Sequence, residues 1–424
     1  MLRGIVSTLC CVLLVLAGGA WAASKGDKEK REERTIGLDR LVAEKLLAAN
    51  ELLGEERYDE ALAVVDQLAE RRKHGPAELA QIHRFRGYIF VNKGMMEKAA
   101  GEFEKSLAQD AIDRAAEQAM SYSLAQIYTQ LGRYDDALRL IDAWFAGEES
   151  PKPDAYYLKA MILVQQERFQ EAVEPARIAV EKSREPKESW LQLQVAIYGN
   201  LKDYPNVAAV LARLANLNPS KKLYWVQLAA VQNHLERSEQ ALATMQLARR
   251  AELLDEDAEF RQLARLLYLQ ALPLQCAHVI EEAIEAGDVK PDHDSYGLLS
   301  NCYLAAREGD EALAPLAKAA ELAPDGEMYL LLGQLHLQRE EYEPALEALG
   351  RALAKAKPER RGSVQLLIGV AQLGSEHLDE AERAFRAAQS DEKVRRAAES
   401  YLKFVQEERL RRQQQQELRT ASLD

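Results

Sequence analysis

The sequence is poor in the residues that small disulfide-stapled folds, sheets and collagen-like chains require. Of its 424 residues only four are cysteine, 7% are aromatic, 22 are glycine and 13 are proline. Alanine, leucine, glutamate and arginine are abundant instead, and such a composition favours helix over sheet. Because 47% of the residues are hydrophobic, the chain can bury a large core. The composition predicts an all-α fold that does not depend on disulfides.

Motifs of known catalytic and metal centres are also missing from the sequence. The seven histidines are scattered, and no HExxH, glycine-rich phosphate loop or Gly-x-Ser-x-Gly elbow occurs. Segment 288–296 does place Asp292, His293 and Asp294 together. These residue types bind cations, but we favour a helix-initiating role for them. We therefore expect no enzyme, no metal and no cofactor. The net charge of −13 argues further against nucleic acid or anionic lipid as the main partner.

The longest apolar run stands at the N-terminus, after Arg3, and is followed by the small-x-small sequence Ala20–Trp21–Ala22. This pattern predicts a secretory signal peptide at 1–22, with a charged flexible leader at 23–38. An uncleaved anchor is the alternative, because weakly apolar residues continue to Ala23. No later run is long enough to cross a bilayer, so the mature protein is expected to be exported and soluble.

Two cysteines remain after the predicted cleavage, Cys276 and Cys302. In an oxidising compartment they can form one bridge. They can equally serve as two small buried apolar residues, and this second interpretation is the one that we favour.

One phrase recurs along the chain, as in EERYDEALAVVD at 55–66, QLGRYDDALRLID at 130–142 and REEYEPALEALG at 339–350. Its central small residue repeats every 33 to 38 positions, at Ala61, Ala99, Ala137, Ala172, Val207, Ala241, Cys276, Ala312, Ala345 and Ala381. Twelve residues before each stands a second, usually small, residue: Ala49, Gly87, Ala125, Ala160, Val195, Ala229, Ala264, Ser300, Gly333 and Gly369. Small residues at facing positions let two antiparallel helices approach closely.

This period with two helices per unit resembles the tetratricopeptide repeat. The resemblance implies a superhelical solenoid of about ten helix-turn-helix repeats over 39–390. A capping helix at 391–408, with an apolar side formed by Val394, Ala398, Leu402 and Val405, would end it. A polar tail at 409–424 follows. No segment is left over for a catalytic domain.

Proteins with this repeat usually bind ligands in a concave groove lined by the first helix of each repeat. We define the groove positions as those three before and one, four and five after the first small residue. We predict a peptide-binding groove lined by Arg84, Tyr88, Asn92, Tyr122, Gln126, Gln130, Tyr157, Met161, Gln165, Gln192, Asn200, Asn233, Arg261, Arg265 and Tyr268. Amide side chains both donate and accept hydrogen bonds, which suits an extended peptide backbone. Solvated amides on exposed helices are the simpler alternative.

The order of phrases also resembles a narrower group, the exported repeat proteins associated with TonB, ExbB and ExbD systems of Gram-negative bacteria. The most telling block runs from Pro186 to Ala229, with Trp190, Tyr204 and Trp225 in the positions of that group. Repeats six to eight depart from it. The resemblance implies a periplasmic scaffold that is an accessory component of a TonB-type transport system.

Three other functions compete with this one. The protein can be an adaptor or assembly factor for outer-membrane or peptidoglycan machinery. It can be a regulatory subunit or a cryptic hydrolase, which would require a closed pocket near His293. It can also be an oligomerisation element that uses the long C-terminal segment.

Overall fold

A computed structural model describes residues 38–71 and 73–421, without the side chains of 416–421. The predicted signal peptide lies outside these residues, as does all of the leader except Leu38. The described part contains 21 α-helices and no β-strand. The all-α prediction is confirmed, and the helices follow one another in pairs as the repeat predicts.

The contacts divide the chain into two units, of which the first ends at Pro219. Unit 1 contains five helix pairs. Their helices are α1 (Arg40–Gly54), α2 (Tyr58–Ala69), α3 (Pro76–Asn92), α4 (Met96–Leu107), α5 (Arg114–Gln130), α6 (Tyr134–Gly147), α7 (Pro153–Gln165), α8 (Phe169–Lys182), α9 (Glu188–Asn200) and α10 (Tyr204–Leu217). Odd-numbered helices are the first of each repeat and even-numbered helices the second.

Unit 2 begins at Ser220 and contains five further pairs and one long helix. Its helices are α11 (Lys222–His234), α12 (Ser238–Arg250), α13 (Asp257–Leu269), α14 (Pro273–Ala286), α15 (His293–Ala305), α16 (Gly309–Leu322), α17 (Glu327–Gln338), α18 (Tyr342–Lys355), α19 (Pro358–Gly374), α20 (Leu378–Ala388) and α21 (Arg395–Ala421). A continuous cluster of buried apolar residues extends from Ala229 in α11 to Ala371 in α19.

Small residues hold the two helices of each repeat together. The recurring small residues of both helices are inaccessible to solvent, except the two valines, Val195 and Val207. A Cβ on Gly333 would lie 2.6 Å from Leu349 Cγ, and one on Gly369 would lie 2.5 Å from Phe385 Cε1. Both contacts are far inside van der Waals separation. The side chain four residues after the second small residue therefore fills the space that the glycine leaves.

The turn between the two helices has the same backbone form in every repeat. Arg133 N donates to Tyr128 O at 2.8 Å, and Leu272 N donates to Leu267 O at 2.9 Å. This hydrogen bond, from a backbone N–H to the carbonyl five residues earlier, ends a helix only if a residue between them adopts the left-handed backbone conformation. Gly132 supplies that residue at φ 74°, whereas Ala271 adopts φ 55° despite its side chain.

Aspartates begin several first helices, as the repeat pattern predicts. Asp292 accepts from Ser295 N at 2.9 Å and caps α15, and Asp325 accepts from Glu327 N at 3.1 Å. Asp154 differs, because α7 begins at Pro153 and the aspartate lies inside the first turn. Its carboxylate binds Lys187 Nζ at 2.7 Å instead.

The C-terminal helix differs from the predicted boundaries. Helix α21 begins at Arg395 and continues to Ala421, through most of the segment 409–424 for which the sequence predicts a tail. Ala398, Leu402 and Val405 are buried at one side of it. Val394, the fourth residue of the predicted capping face, precedes the helix and is half-buried. Beyond this face, Arg409 binds Asp379, and Arg412 binds Glu376 at 3.2 Å.

The structure joins Cys276 on α14 to Cys302 on α15 in a disulfide, so the favoured interpretation of two independent small residues is wrong. The Cα atoms lie 5.8 Å apart, within the range that disulfides require. The predicted burial of the two cysteines does hold, and both are fully buried. They meet because the second helix of one repeat packs on the first helix of the next, and this contact is not deducible from their separation of 26 residues.

Two glycines of unit 2 test whether small residues are required only where the two helices of a repeat approach closely. Gly369→Ala places a methyl group against Phe385, and overpacking costs about 1–3 kcal/mol. Gly350 lies exposed in α18, and a Cβ added to it would have nothing within 4 Å. Gly350→Ala therefore stabilises the helix by about 0.5–1 kcal/mol. The midpoint of urea unfolding, followed by helical circular dichroism, should fall for the first variant and rise for the second. Equal shifts would contradict this requirement.

Removal of the disulfide should destabilise unit 2. The double variant Cys276→Ala with Cys302→Ala loses a cross-link that closes a loop of 26 residues, worth about 3–4 kcal/mol in the chain-entropy treatment. A lower urea midpoint is expected, and a reducing agent should lower the midpoint of the wild type but not that of the double variant. A wild type insensitive to reduction would show that the thiols are not bridged.

Candidate functional site

The predicted groove residues all lie on first helices, so that each unit presents its own set. In unit 1 they occupy α3, α5, α7 and α9, and in unit 2 they occupy α11 and α13. We call these surfaces the groove face of unit 1 and the groove face of unit 2.

Four amides end the first helices of consecutive repeats in unit 1. Asn92, Gln130, Gln165 and Asn200 are the last residues of α3, α5, α7 and α9, and all four are exposed. Asn92 Nδ2 donates to Tyr88 O at 2.9 Å, and Asn200 Nδ2 donates to Ala196 O at 2.8 Å. These bonds orient the two asparagines and leave each Oδ1 as an acceptor.

The other polar and thioether groove residues of unit 1 are half-buried. Gln192 Nε2 donates to Glu188 Oε1 at 3.2 Å. Gln126 lies on α5, one position after the small residue Ala125. Met161 packs against two neighbouring apolar clusters. Only part of each of these side chains is therefore accessible on the groove face.

The three predicted tyrosines of unit 1 pack against other rings. Tyr88 meets Phe103 edge-on with ring centroids 5.1 Å apart, and Tyr157 stacks on Trp190 at 5.6 Å. Burial raises the pKa of the Tyr88, Tyr122 and Tyr157 phenols, and the Asp154 carboxylate adds to the rise for Tyr122, to about 12. The tyrosines are therefore fixed in place and neutral at physiological pH.

An aromatic cluster that sequence reasoning missed extends from Tyr122. Trp144 lies 5.2 Å from the Tyr122 ring, and Phe145 lies between Trp144 at 5.3 Å and Tyr156 at 4.8 Å. Lys182 Nζ lies 5.0 Å from the centre of the Tyr156 ring, close enough for a cation–π interaction. The sequence feature that could have indicated this cluster is the pair of aromatic segments DAWF at 142–145, near the end of α6, and DAYY at 154–157, at the start of α7.

Arg84 is the charged member of the predicted groove in unit 1. Its side chain is half-buried on α3, and its guanidinium carbon lies 5.7 Å from the Phe85 ring centre. Arg84 Nε is buried and has no hydrogen-bond partner among the described residues. A buried donor without a partner is uncommon and costs free energy, so this atom favours an incoming acceptor.

The groove face of unit 2 contains one arginine that is already paired and one that is not. Arg261 binds Asp257, and its Nη2 lies 3.1 Å from Asp292 Oδ2, so it links α13 to α15. The guanidinium lowers the pKa of the Asp257 carboxyl group. The pKa of Asp292 is lowered against the effect of its burial, first by the backbone N–H of Ser295 and then by Arg261. Arg261 is therefore structural. Arg265 is exposed and forms no hydrogen bond or ion pair with the residues that the structure describes. Asn233 and Tyr268 are also exposed.

The acidic clusters have structural roles. Asp292 forms a capping box with Ser295, and His293 Nε2 lies 3.4 Å from Asp294 Oδ1 at the helix start. Asp255, Glu256 and Glu259 lie close enough together to hold a cation. Lys222 Nζ already occupies their centre, 2.9 Å from Glu256 Oε1.

Two crevices are open to solvent and are lined by both polar and apolar side chains. One of about 210 Å³ lies between α12, α13 and α14, where Arg249 and Glu282 form an ion pair across its rim. A second, of about 380 Å³, lies at the turns of repeats three and four beside Tyr134 and Gln166. Neither includes His293, near which a cryptic hydrolase would need its pocket.

Among the helices of residues 38–71 and 73–421, none combines the length and the apolar character that a bilayer crossing demands.

The family comparisons agree with the helix pairs. The tetratricopeptide repeat model matches residues 46–115 and 330–397, and a model of the anaphase-promoting complex, cyclosome, subunit 3 matches residues 92–175. No curated protein sequence matches the chain. Together with the paired helices and their small interface residues, these matches show that the chain has the all-α tetratricopeptide-repeat fold.

Solved structures resemble parts of the chain. YrrB, described as a tetratricopeptide-repeat protein with an unusual peptide-binding site, is 17% identical with a TM-score of 0.38, and the match covers 46% of this chain and 99% of YrrB. A repeat protein from Parabacteroides merdae is 14% identical with a TM-score of 0.34, over 70% of this chain and 99% of that one. MamA from Desulfovibrio magneticus is 20% identical with a TM-score of 0.37, over 44% and 99%.

The raised pKa of Tyr122 predicts a loss of stability at high pH. A phenol with a pKa of about 12 when folded and about 10 when unfolded contributes its full stabilisation below pH 10. That contribution is lost as the pH rises from 10 to 12, because only the unfolded chain ionises in this window. Tyr122→Phe should therefore reduce the fall in urea midpoint between pH 9 and pH 11. Absorbance at 295 nm should show one fewer late-titrating phenol, and an unchanged titration would contradict the assignment.

Proposed function

We propose that this protein is a non-enzymatic periplasmic scaffold that binds extended segments of other proteins on its groove faces. We further propose that it is an accessory component of a TonB-type energy-transduction system, with TonB-, ExbB- or ExbD-like proteins as partners. The observation that carries the first proposal is the row of exposed amides Asn92, Gln130, Gln165 and Asn200 at equivalent positions of four consecutive repeats.

The row suits an extended backbone for geometric reasons. Packed helices lie about 8–10 Å apart, and an extended chain advances about 3.3 Å per residue. Amides on successive first helices can therefore meet every third residue of a bound segment. The asparagine Oδ1 atoms accept from backbone N–H groups, while the unpartnered Arg84 Nε donates to a carbonyl or carboxylate.

The half-buried rings beside this row supply apolar contact. The edges of Tyr88, Tyr122 and Tyr157 are held by their packing, so little side-chain entropy is lost when a ligand touches them. Preorganised surfaces of this kind bind with less ordering cost. Specificity would then come from the side chains of the segment and affinity from its backbone.

Export to the periplasm is supported by two features. The N-terminal sequence has the pattern of a secretory signal peptide, and the disulfide between Cys276 and Cys302 is of the kind that persists in oxidising compartments. The TonB association rests on the resemblance of the phrase order, in particular the segment around Trp190 and Trp225.

Photo-cross-linking in the periplasm of a Gram-negative host tests both proposals. A photoreactive amino acid at Gln130 or Gln165 lies on the groove face of unit 1, whereas the exposed residues Arg139 and Gln170 lie on second helices and serve as matched controls. We expect products from the first pair only, containing TonB-, ExbB- or ExbD-like proteins. A version without residues 2–22 should stay in the cytoplasm and yield none of them.

The other outcomes are equally informative. Products that contain outer-membrane or peptidoglycan assembly proteins would replace the TonB association with the adaptor function while leaving the scaffold in place. Equal products from both faces, or none from the groove face, would overturn the scaffold proposal.

A further inference from the structure

The first residue of the second helix is aromatic in half of the ten repeats, and repeat six is one of those that lack a ring there. In five repeats the second helix begins with an aromatic residue, namely Tyr58, Tyr134, Phe169, Tyr204 and Tyr342. In repeat six it begins with Ser238. The space that a ring fills elsewhere is therefore lined by a hydroxymethyl group in α12.

Two contacts show where that ring would lie. Tyr134, the first residue of α6, donates through its hydroxyl to Oε1 of Gln165, the last residue of α7. Tyr342, the first residue of α18, packs so closely on Gly374, the last residue of α19, that no side chain fits there. The same register places Ser238, the first residue of α12, beside Leu269, the last residue of α13.

Leu269 is apolar at a position where the repeats of unit 1 are polar. Its equivalents there are the exposed amides Asn92, Gln130, Gln165 and Asn200, whereas Leu269 is 68% exposed. The neighbouring Tyr268 is 44% exposed. Core packing does not explain these two residues, because the buried side of α13 is formed by Phe260, Leu263 and Leu267.

Two arginines flank the apolar pair, and the first of them lacks the partner that its equivalents have. Arg57, Arg133 and Arg168 each precede a second helix and bind a carboxylate three residues further on. Arg237 is in the same position before α12, but the residue three positions further on is Gln240. Arg237 is exposed and has no ion pair with any residue that the structure describes.

Arg265 lies four residues before Leu269 on the same face of α13 and is also unpaired among the described residues. Residues four apart are neighbours on a helix surface. The neighbouring first helices expose Ala230 on α11 and Ala305 on α15, whose short side chains leave room on either side. Glu236 lies in the turn before α12, and Glu239 is the second residue of α12. Glu239 has the position from which Asp135 accepts from Gln166 of the next repeat.

We propose that Arg237, Ser238, Arg265, Tyr268 and Leu269 form a docking site for an acidic extended segment of a partner protein that carries an aromatic side chain. The ring of the partner packs on Leu269 beside Ser238, in the place that the chain fills with its own ring in five other repeats. Carboxylates on either side of it pair with Arg237 and Arg265. This site deepens the scaffold proposal and rests on it.

The protein's overall charge makes binding of an acidic peptide a specific test of this site. With a net charge of −13 the chain repels acidic peptides in general, so binding of one requires a local site. Two unpaired guanidinium groups beside exposed apolar surface provide it, since charge complementarity sets specificity at such surfaces.

Fluorescence anisotropy with the full mature chain tests the site, using a fluorescein-labelled peptide GSEDEFEDEGS. Saturable binding is expected, together with much weaker binding of the same peptide with alanine in place of phenylalanine. Arg237→Glu and Arg265→Glu should each weaken binding at least about threefold. Arg213→Glu makes the same charge change on the exposed side of α10 in unit 1 and should have no effect.

A second test replaces Ser238 with an aromatic residue, so that the protein's own ring occupies the proposed docking position. Ser238→Tyr restores the ring of the other repeats and should raise the urea midpoint while reducing binding of the phenylalanine peptide to that of the alanine peptide. Gln240→Tyr, exposed two residues away, should do neither. No binding, equal binding of the two peptides, or equal loss with Arg213→Glu would overturn the docking site. Cross-linking from Gln130 and Gln165 is independent of it, so the two proposals can fail separately.

Discussion

The close approach of two helices at paired small residues is the constraint on which the rest of this structure depends. Where Gly369 faces Phe385 there is no room for a methyl group, and the alanines of other repeats are as inaccessible. That approach fixes the rotation of each first helix. The rotation in turn decides which side chains are buried and which form the groove face. A conservative change at a small residue would therefore alter the binding surface as well as the stability.

The groove faces of the two units are chemically different. Unit 1 combines an exposed row of amides with ordered aromatic edges and the unpartnered Arg84 Nε, which suits the backbone of an extended segment. Unit 2 exposes Tyr268 and Leu269 between two arginines that are unpaired among the described residues. A chain of similar repeats can thus present distinct surfaces, because the residues that face outward are not constrained by the packing between the helices.

The departures from the repeat are the most informative positions. Ser238 stands where five other repeats place an aromatic ring. Gln240 stands where a carboxylate pairs with Arg57, Arg133 or Arg168 in other repeats, so Arg237 has no such partner. Natural sequences that break their own local rules tend to do so at functional sites. Arg261 shows the opposite case. Its sequence position predicts a groove residue, yet Asp257 and Asp292 hold it, so it links two repeats.

The sequence by itself determined the helix pairs, their turns and their buried small residues, because these follow from short-range periodicity and from the volume that a close helix contact allows. The same periodicity assigned the amides of the groove to first helices. Only the tertiary structure decided which side chains have partners. The contacts concerned join residues of different repeats: the bridge between Cys276 and Cys302, the Lys222 ammonium among three carboxylates, the contact of the Phe145 and Tyr156 rings, and the pairing of Arg261 with Asp292. Such contacts depend on how repeats stack, and no local pattern encodes that distance.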